Sequence, residues 1–193
     1  MTAKFNDNWY SDSQLRDLGD IVSQIPDKEG AVIEIGCWEG KSTHFLANKI
    51  YPQNLICNDT WLGNIAESHV TKKRHIEEII LETRDVYSIF LNNMNELTKG
   101  NYSIVKKDCF DWLKSFDKPI KFCHIDASHD YESVFKTINL LLPHMIPNGI
   151  LCGDDFLNAS ANREDLNGGV ERAVREALPQ YQSKKNIWWW INK

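Results

Sequence analysis

Residues 34–43 read EIGCWEGKST, and what this turn can hold decides the fold. The turn follows AVIEIG, an apolar run that reads as a buried strand, and leads into KSTHFLANKI, which reads as a helix. Its ending looks like that of a phosphate-binding loop. A Walker A loop, however, places four residues between its two glycines, and Gly36 and Gly40 have only three between them. Such loops wrap a phosphate with successive backbone N–H groups, so their length is not free. A dinucleotide fingerprint would need glycine where Trp38 stands. What remains is E-x-G-x-x-x-G between a strand and a helix. Gly36 lets the chain turn sharply and approach a ligand closely. Glu34 can accept hydrogen bonds from an ammonium group, and the helix start near Ser42 and Thr43 offers N–H groups to a carboxylate. A methionyl tail, with both groups, suits the turn better than a pyrophosphate.

Outward from this turn, strands and helices alternate. NLICNDTW, NYSIVKKD, IKFCHIDA and ILCGDDF read as further strands, and NIWWWIN as a closing aromatic one. Helical spacing marks residues 13–25, 131–142 and the run Val170 to Leu178. The stretch 64–99 is long and polar for a crossover; His75 to Leu81 and Val86 to Leu97 carry helical spacing, so two helices are expected there, as a lid or substrate-binding insertion. Alternation of this kind implies a mostly parallel sheet with helices on both faces and right-handed crossovers. Ligands then bind where the parallel strands end. The whole chain, 1–193, reads as a single domain.

Composition narrows the function classes. The net charge of −5, without a strong basic cluster, argues against a sequence-independent grip on nucleic acid. Membrane spans need about 18 consecutive apolar residues, and no such run occurs. MTAKFNDNWY lacks the apolar core of a signal peptide. The five cysteines form no CxxC pair and lie in or beside apolar runs, which reads as buried free thiols in a reducing cytoplasm. A cytoplasmic enzyme working on a small molecule is expected, and its oligomeric state stays open.

Three acids follow successive strands. Glu34 stands at the first strand's end, Asp59 at the second, where a carboxylate can accept from two ribose hydroxyls, and Asp108 after the third, where an adenine amino group would be met. At this point the chain resembles the class I S-adenosylmethionine-dependent methyltransferases, and among them the small branch called methyltransferase family 24, which includes sugar O-methyltransferases of antibiotic pathways. The matching pieces are EIGCWEGKST, NDTW, HIDASHDYESV, LLPHMIPNGILCGDDF and GVERAV, in order from about residue 31 to 175. The resemblance implies a Rossmann-like α/β fold: a seven-stranded, mostly parallel sheet of order 3-2-1-4-5-7-6, with strand 7, NIWWWIN, antiparallel. It implies a cofactor site formed by Glu34, Gly36, Trp38, Gly40, Ser42, Asp59, Trp61, Asp108, Cys109, Phe110 and Asp126.

Asp126 and Asp154 end the fourth and fifth strands, and a right-handed crossover brings them to within about 5 Å on neighbouring strands. With Asp155 they make three carboxylates that a hard divalent ion such as Mg²⁺ would suit. By resemblance, these three match the positions that hold the metal in metal-dependent O-methyltransferases. His129, in DASHDY, is the first choice for the base that takes the acceptor's proton, with Asp130 behind it and Asp126 as the other catalytic group. His44, His69, His75, His124 and His144 read as structural or surface residues. The implied function is methyl transfer from S-adenosylmethionine to a hydroxyl of a sugar or glycoside. The insertion and the N-terminal NDNWYSDSQ would cover the acceptor. Two other classes are weighed against it: a metal-dependent nucleotide-sugar transferase, disfavoured because no basic residues flank GDDF, and a cofactor-binding module without chemistry.

Overall fold

The computed structural model describes residues 3–7 and 9–193; Met1, Thr2 and Asn8, the last within the stretch expected to cover the acceptor, lie outside the described residues. Seven strands form one sheet: β1 (Ala31–Ile35), β2 (Leu55–Asp59), β3 (Tyr102–Lys106), β4 (Ile120–Ile125), β5 (Met145–Gly153), β6 (Gln182–Lys184) and β7 (Ile187–Ile191). Their order is β3-β2-β1-β4-β5-β7-β6, as the sequence implied. The first five pair in parallel, and β7 runs antiparallel to β5 and β6. Around them lie α1 (Asp12–Val22), α2 (Lys41–Ile50), α3 (Ile65–Thr71), α4 (Ile76–Leu81), α5 (Val86–Leu97), α6 (Cys109–Leu113), α7 (Tyr131–Leu141) and α8 (Gly169–Ala177).

Both faces of the sheet are covered, so its central strands are apolar nearly throughout. Successive strand residues point to opposite faces. Val32, Cys57, Phe122 and Cys152 thus pack beneath Leu18 and Ile21 of α1, Leu46 of α2 and Phe90 and Met94 of α5. On the other face Ile33, Ile35, Cys123 and Leu151 meet Val134 and Ile138 of α7 and Val170 and Val174 of α8. Each fully buried side chain of this size contributes roughly 1.5–3 kcal/mol, which is why the two apolar layers fix the sheet's position. All five cysteines are free.

Three elements depart from the sequence reading. α1 begins in a capping box: the Ser11 hydroxyl accepts from the Gln14 N–H, and the Gln14 side chain accepts from the Ser11 N–H. It ends at Val22, short of residue 25, because Pro26 disfavours helical backbone at Ile25. Residues 64–99 hold three helices instead of two; α3 starts at Asn64, whose side chain accepts from the Glu67 N–H. β5 starts earlier than ILCGDDF, running through Pro147, where a bulge against β4 removes the need for a ladder N–H.

Candidate active site

At the carboxyl end of the parallel strands lie two cavities, of about 760 and 480 Å³. Gly36, Trp38, Glu77, Asp126 and Ala127 line both, so the two meet over the glycine turn. The larger is walled by Trp9, Tyr10, His129 and Asp155, the smaller by Asp59, Asp108, Cys109 and Phe110.

The turn between them is held from below. Gly36 has φ +88°, and a Cβ there would come 1.9 Å from the Asp126 carbonyl oxygen. Glycine is therefore required by the close approach of the β4 backbone. Trp38 also sits in the left-handed region, at φ 47°. Asp59 holds it there: Oδ2 accepts from the N–H groups of Cys37 (2.7 Å) and Trp38 (2.9 Å), and Oδ1 accepts from the N–H of Trp61 (2.7 Å). A carboxylate offers about four lone-pair sites, so about one is left for a ligand hydroxyl. Burial pushes the Asp59 carboxyl up, while its three N–H partners pull it back.

Asp108 caps α6, its Oδ1 accepting from the Phe110 and Asp111 N–H groups at 2.9 and 3.1 Å. It brings Cys109 and Phe110 to the smaller cavity's wall. Burial pushes the Cys109 thiol up to about 11, so it is inert there. Ser42 lines the larger cavity from the first turn of α2. Gly40 is the left-handed residue preceding α2 and lines neither cavity. Trp61 is 4% exposed and packs on Tyr87 and Phe90, at ring-centroid distances of 4.7 and 4.8 Å; it also lies outside both cavities, and its indole N–H donates to the Trp38 carbonyl. Trp61 therefore shapes the turn from the core side.

Glu34 is set apart from the other three strand-end acids. It is fully buried between β1 and α1, and its Oε1 lies 3.2 Å from His124 Nδ1. His124 Nε2 in turn faces the Tyr10 hydroxyl at 3.5 Å. Asp59, Asp108 and Asp126 line one cavity; Glu34 lines neither.

Beyond β4 and β5 the acidic groups crowd. Asp126 and Asp154 follow neighbouring strands, and Asp155 follows at φ 64°. Burial pushes Asp126 well up, with the charges of Asp154 and Asp155 adding to it. Burial, then the charge of Asp155, raises Asp154 to about 6, although the Gln14 amide donates to its Oδ2. Asp154 Oδ1 is buried with no partner among the described residues. Asp155 is pulled the other way: burial opposes its ionisation, yet the hydrogen bond from His129 Nε2, at 2.9 Å, holds it below the ordinary carboxylate range. The other ring nitrogen, His129 Nδ1, lies 2.9 Å from Glu67 Oε2. Burial works against the imidazolium, but the two carboxylates raise His129 well above its usual value. A ring so held has no free lone pair. His129 thus stands as a charged clamp, and Asp126 lies on the rim of both cavities.

Sequence reasoning missed Glu67, His75 and Glu77, all contributed by the insertion. Glu67 is 1% exposed, and His75 Nε2 stands 3.4 Å from its Oε1. Burial raises Glu77, on the shared rim, to about 8. The Asn64-x-x-Glu67 spacing is a helix-start signal that could have revealed α3 and with it Glu67. His75 and His124, read as structural or surface residues, each face a carboxylate.

Known proteins with this architecture can now be set beside it. A family model described as "Methyltransferase domain" matches residues 33–156. Among solved structures, the cofactor-bound Rv0187 from MTB has a TM-score of 0.69 at 15% identity, covering 98% of this chain and 84% of that one. The O-methyltransferase TomG from Streptomyces achromogenes, involved in tomaymycin synthesis and in complex with S-adenosylmethionine, has a TM-score of 0.68 at 13% identity and the same two coverages, 98% and 84%. CalS11, a TDP-rhamnose 3′-O-methyltransferase of calicheamicin biosynthesis, has a TM-score of 0.58 at 14% identity, covering 93% and 80%. At such identities the likeness is one of fold. No curated protein sequence matches the chain.

Proposed function

Because the chain belongs to the Methyltransferase domain family, we propose that it moves the methyl group of S-adenosylmethionine to a hydroxyl of a small molecule, a sugar or glycoside. The observation that carries this reading is the shared rim: Asp126 and the Gly36–Trp38 turn line both cavities, so a donor in one and an acceptor in the other would face each other. The smaller cavity is assigned to the donor. Asp59 has a lone pair left for a ribose hydroxyl, Asp108 Oδ2 is not used by the cap, and Phe110 supplies an aromatic wall. The cofactor supplies an electrophilic methyl group on a sulfonium.

The larger cavity is assigned to the acceptor. Trp9 lies over Trp38, with ring centroids 5.3 Å apart, and Tyr10 stands beside them. Such a wall suits the apolar face of a sugar ring, and CalS11, named for a sugar substrate, supports that class. The protein's work is alignment and exclusion of water. Asp126 takes the acceptor's proton: a cation in the adjoining cavity favours its carboxylate form, against the burial that raises it. His129 positions Asp155. Asp126, Asp154 and Asp155 would hold Mg²⁺, which would lower the pKa of an acceptor hydroxyl; the unpartnered Asp154 Oδ1 fits such an ion.

The test is calorimetry with S-adenosylhomocysteine. The parent is expected to bind it, and Phe110→Ala and Asp59→Asn each to bind about 10-fold more weakly, as for a lost stack or charged hydrogen bond. Binding of a UDP-sugar with no binding of S-adenosylhomocysteine would overturn the reading.

A further inference from the structure

Glu67, His75 and His129 come from three separate places, α3, the start of α4 and the loop after β4. Their ligand atoms nevertheless all lie within 4.8 Å of one another. Glu67 Oε2 is 2.9 Å from His129 Nδ1, and Glu67 Oε1 is 3.4 Å from His75 Nε2. Zinc-to-ligand bonds of about 2.0–2.2 Å in a tetrahedron place neighbouring donors about 3.3 Å apart, inside the 4.8 Å that encloses the three ligand atoms, one from each residue. The His75 contact lies beyond the usual hydrogen-bond range, and the ring's Nδ1 is buried with no hydrogen-bond partner among the described residues. The two imidazole rings are tilted by 46° to each other, with centroids 6.0 Å apart, and so are not stacked.

The surroundings have the form of a metal centre's outer shell. His129 gives its other nitrogen to Asp155 at 2.9 Å, a carboxylate–histidine pair of the kind that orients metal-ligating imidazoles. The Asn64 amide donates to Glu67 Oε2 at 2.7 Å. Glu67 is 1% exposed; the cations beside it are the His129 imidazolium and, 3.9 Å from Oε1, the Arg163 guanidinium, and a bound divalent ion would take the place of the first. All three residues also line the larger cavity, which leaves one side of the group open.

We propose that Glu67, His75 and His129 bind a divalent transition cation of the zinc class at the floor of the larger cavity. Two imidazoles and one carboxylate select zinc, cobalt or nickel over magnesium. Binding replaces the proton on His129 Nδ1, which leaves for solvent, while the Nε2 proton stays on the bond to Asp155. His129 lines a small cavity together with Asp126, Asp154 and Asp155, so the site borders the acidic group, and it ties the insertion to the loop after β4. It does not depend on the methyl-transfer reading, and its test uses no methyl donor.

The test is titration of the chelator-treated full chain with ZnCl₂ by calorimetry in buffers of different ionisation enthalpy, and with CoCl₂ by visible absorption. One equivalent is expected to bind with release of a proton, and Co²⁺ to give the intense visible bands of a four- or five-coordinate nitrogen site. His75→Ala is expected to weaken binding by more than the ~10–100-fold that loss of an outer-shell partner costs, and Asp154→Asn to leave it unchanged. Weak octahedral Co²⁺ bands in the parent, no uptake, or binding lost in Asp154→Asn and kept in His75→Ala would each overturn the proposal. The parent's Co²⁺ spectrum decides the matter even if His75→Ala does not fold.

Discussion

Two glutamate–histidine pairs lie on either side of the same strand ends, one sealed in the sheet and one open to a cavity. Glu34 and His124 occupy paired positions on β1 and β4, and both are 0% exposed. Their partners are few: His124 reaches Tyr10, and Glu34 Oε2 has no partner among the described residues. Glu67 and His129 come from α3 and a loop, His129 is 19% exposed, and each has several partners, among them Asn64, His75 and Asp155. The same two residue types thus serve opposite ends. Inside the sheet the pair fills a fixed place in the core; at the cavity it is one part of a network whose composition a ligand can change.

The difference is sharpest in stability. His124→Ala leaves Glu34 buried and unpaired, and is expected to cost roughly 3–5 kcal/mol, read from urea midpoints. The double substitution Glu34→Leu with His124→Leu is expected to recover nearly all of that loss, since replacing both partners of a buried polar pair by apolar groups of similar shape can be nearly neutral. A double variant no better than the single would show that the sealed pair does more than fill space.

The open side carries repulsion that the sealed side lacks. Asp154 is 5% exposed, and its burial pushes the carboxyl up from the ordinary 3.8 to about 6. A carboxyl raised on folding makes the native state lose stability as pH rises from about 4 through 6. Asp154→Asn is therefore expected to stabilise the metal-free protein by roughly 1–3 kcal/mol at pH 7, with the gain vanishing at low pH. A destabilised variant at pH 7 would mean that the bond from Gln14 outweighs the crowding.

Glu67→Gln is expected to cost about 1.5–3 kcal/mol near neutrality, the range for a hydrogen bond to a charged group. Its pH dependence separates the two partners. Glu67 is lowered on folding, so its share is present above the ordinary 4.5 and is lost as pH falls through its folded value. His129 is raised, so its share is full below the ordinary 6.5 and is lost as pH rises through its folded value. The parent's stability should thus fall on both sides of the interval between, and the variant should show a flatter profile. The smallest effect is at Asn64→Ala: loss of the cap should cost about 1 kcal/mol and speed amide exchange in α3 while leaving β1 protected.

What the sequence disclosed divides along the same line. The parallel sheet could be read because AVIEIG, IKFCHIDA and ILCGDDF are buried on both faces, and burial leaves a continuous apolar signature; its strand order came only with the family resemblance. The glycine turn was legible through spacing alone. Glu34 was read as a ligand for the cofactor because it stands near a strand's end, yet strand alternation places it on the face of Val32, under α1. The clue was present: Glu34 stands two residues before Gly36, and His124 two before Asp126, which makes them neighbours on adjacent strands. Glu67 and His75 had no such clue. Their meeting with His129 depends on how three short segments fold over the sheet, and no local period records that.

Among the described residues only five border both cavities, and that narrow common edge has a practical meaning. Substitutions at Trp9, Thr71 or Ser160 would reshape one chamber and leave the walls of the other intact. Under the proposed assignment of the two chambers, an engineer, or natural drift, could then exchange the molecule that receives the group without relearning how to hold the one that gives it.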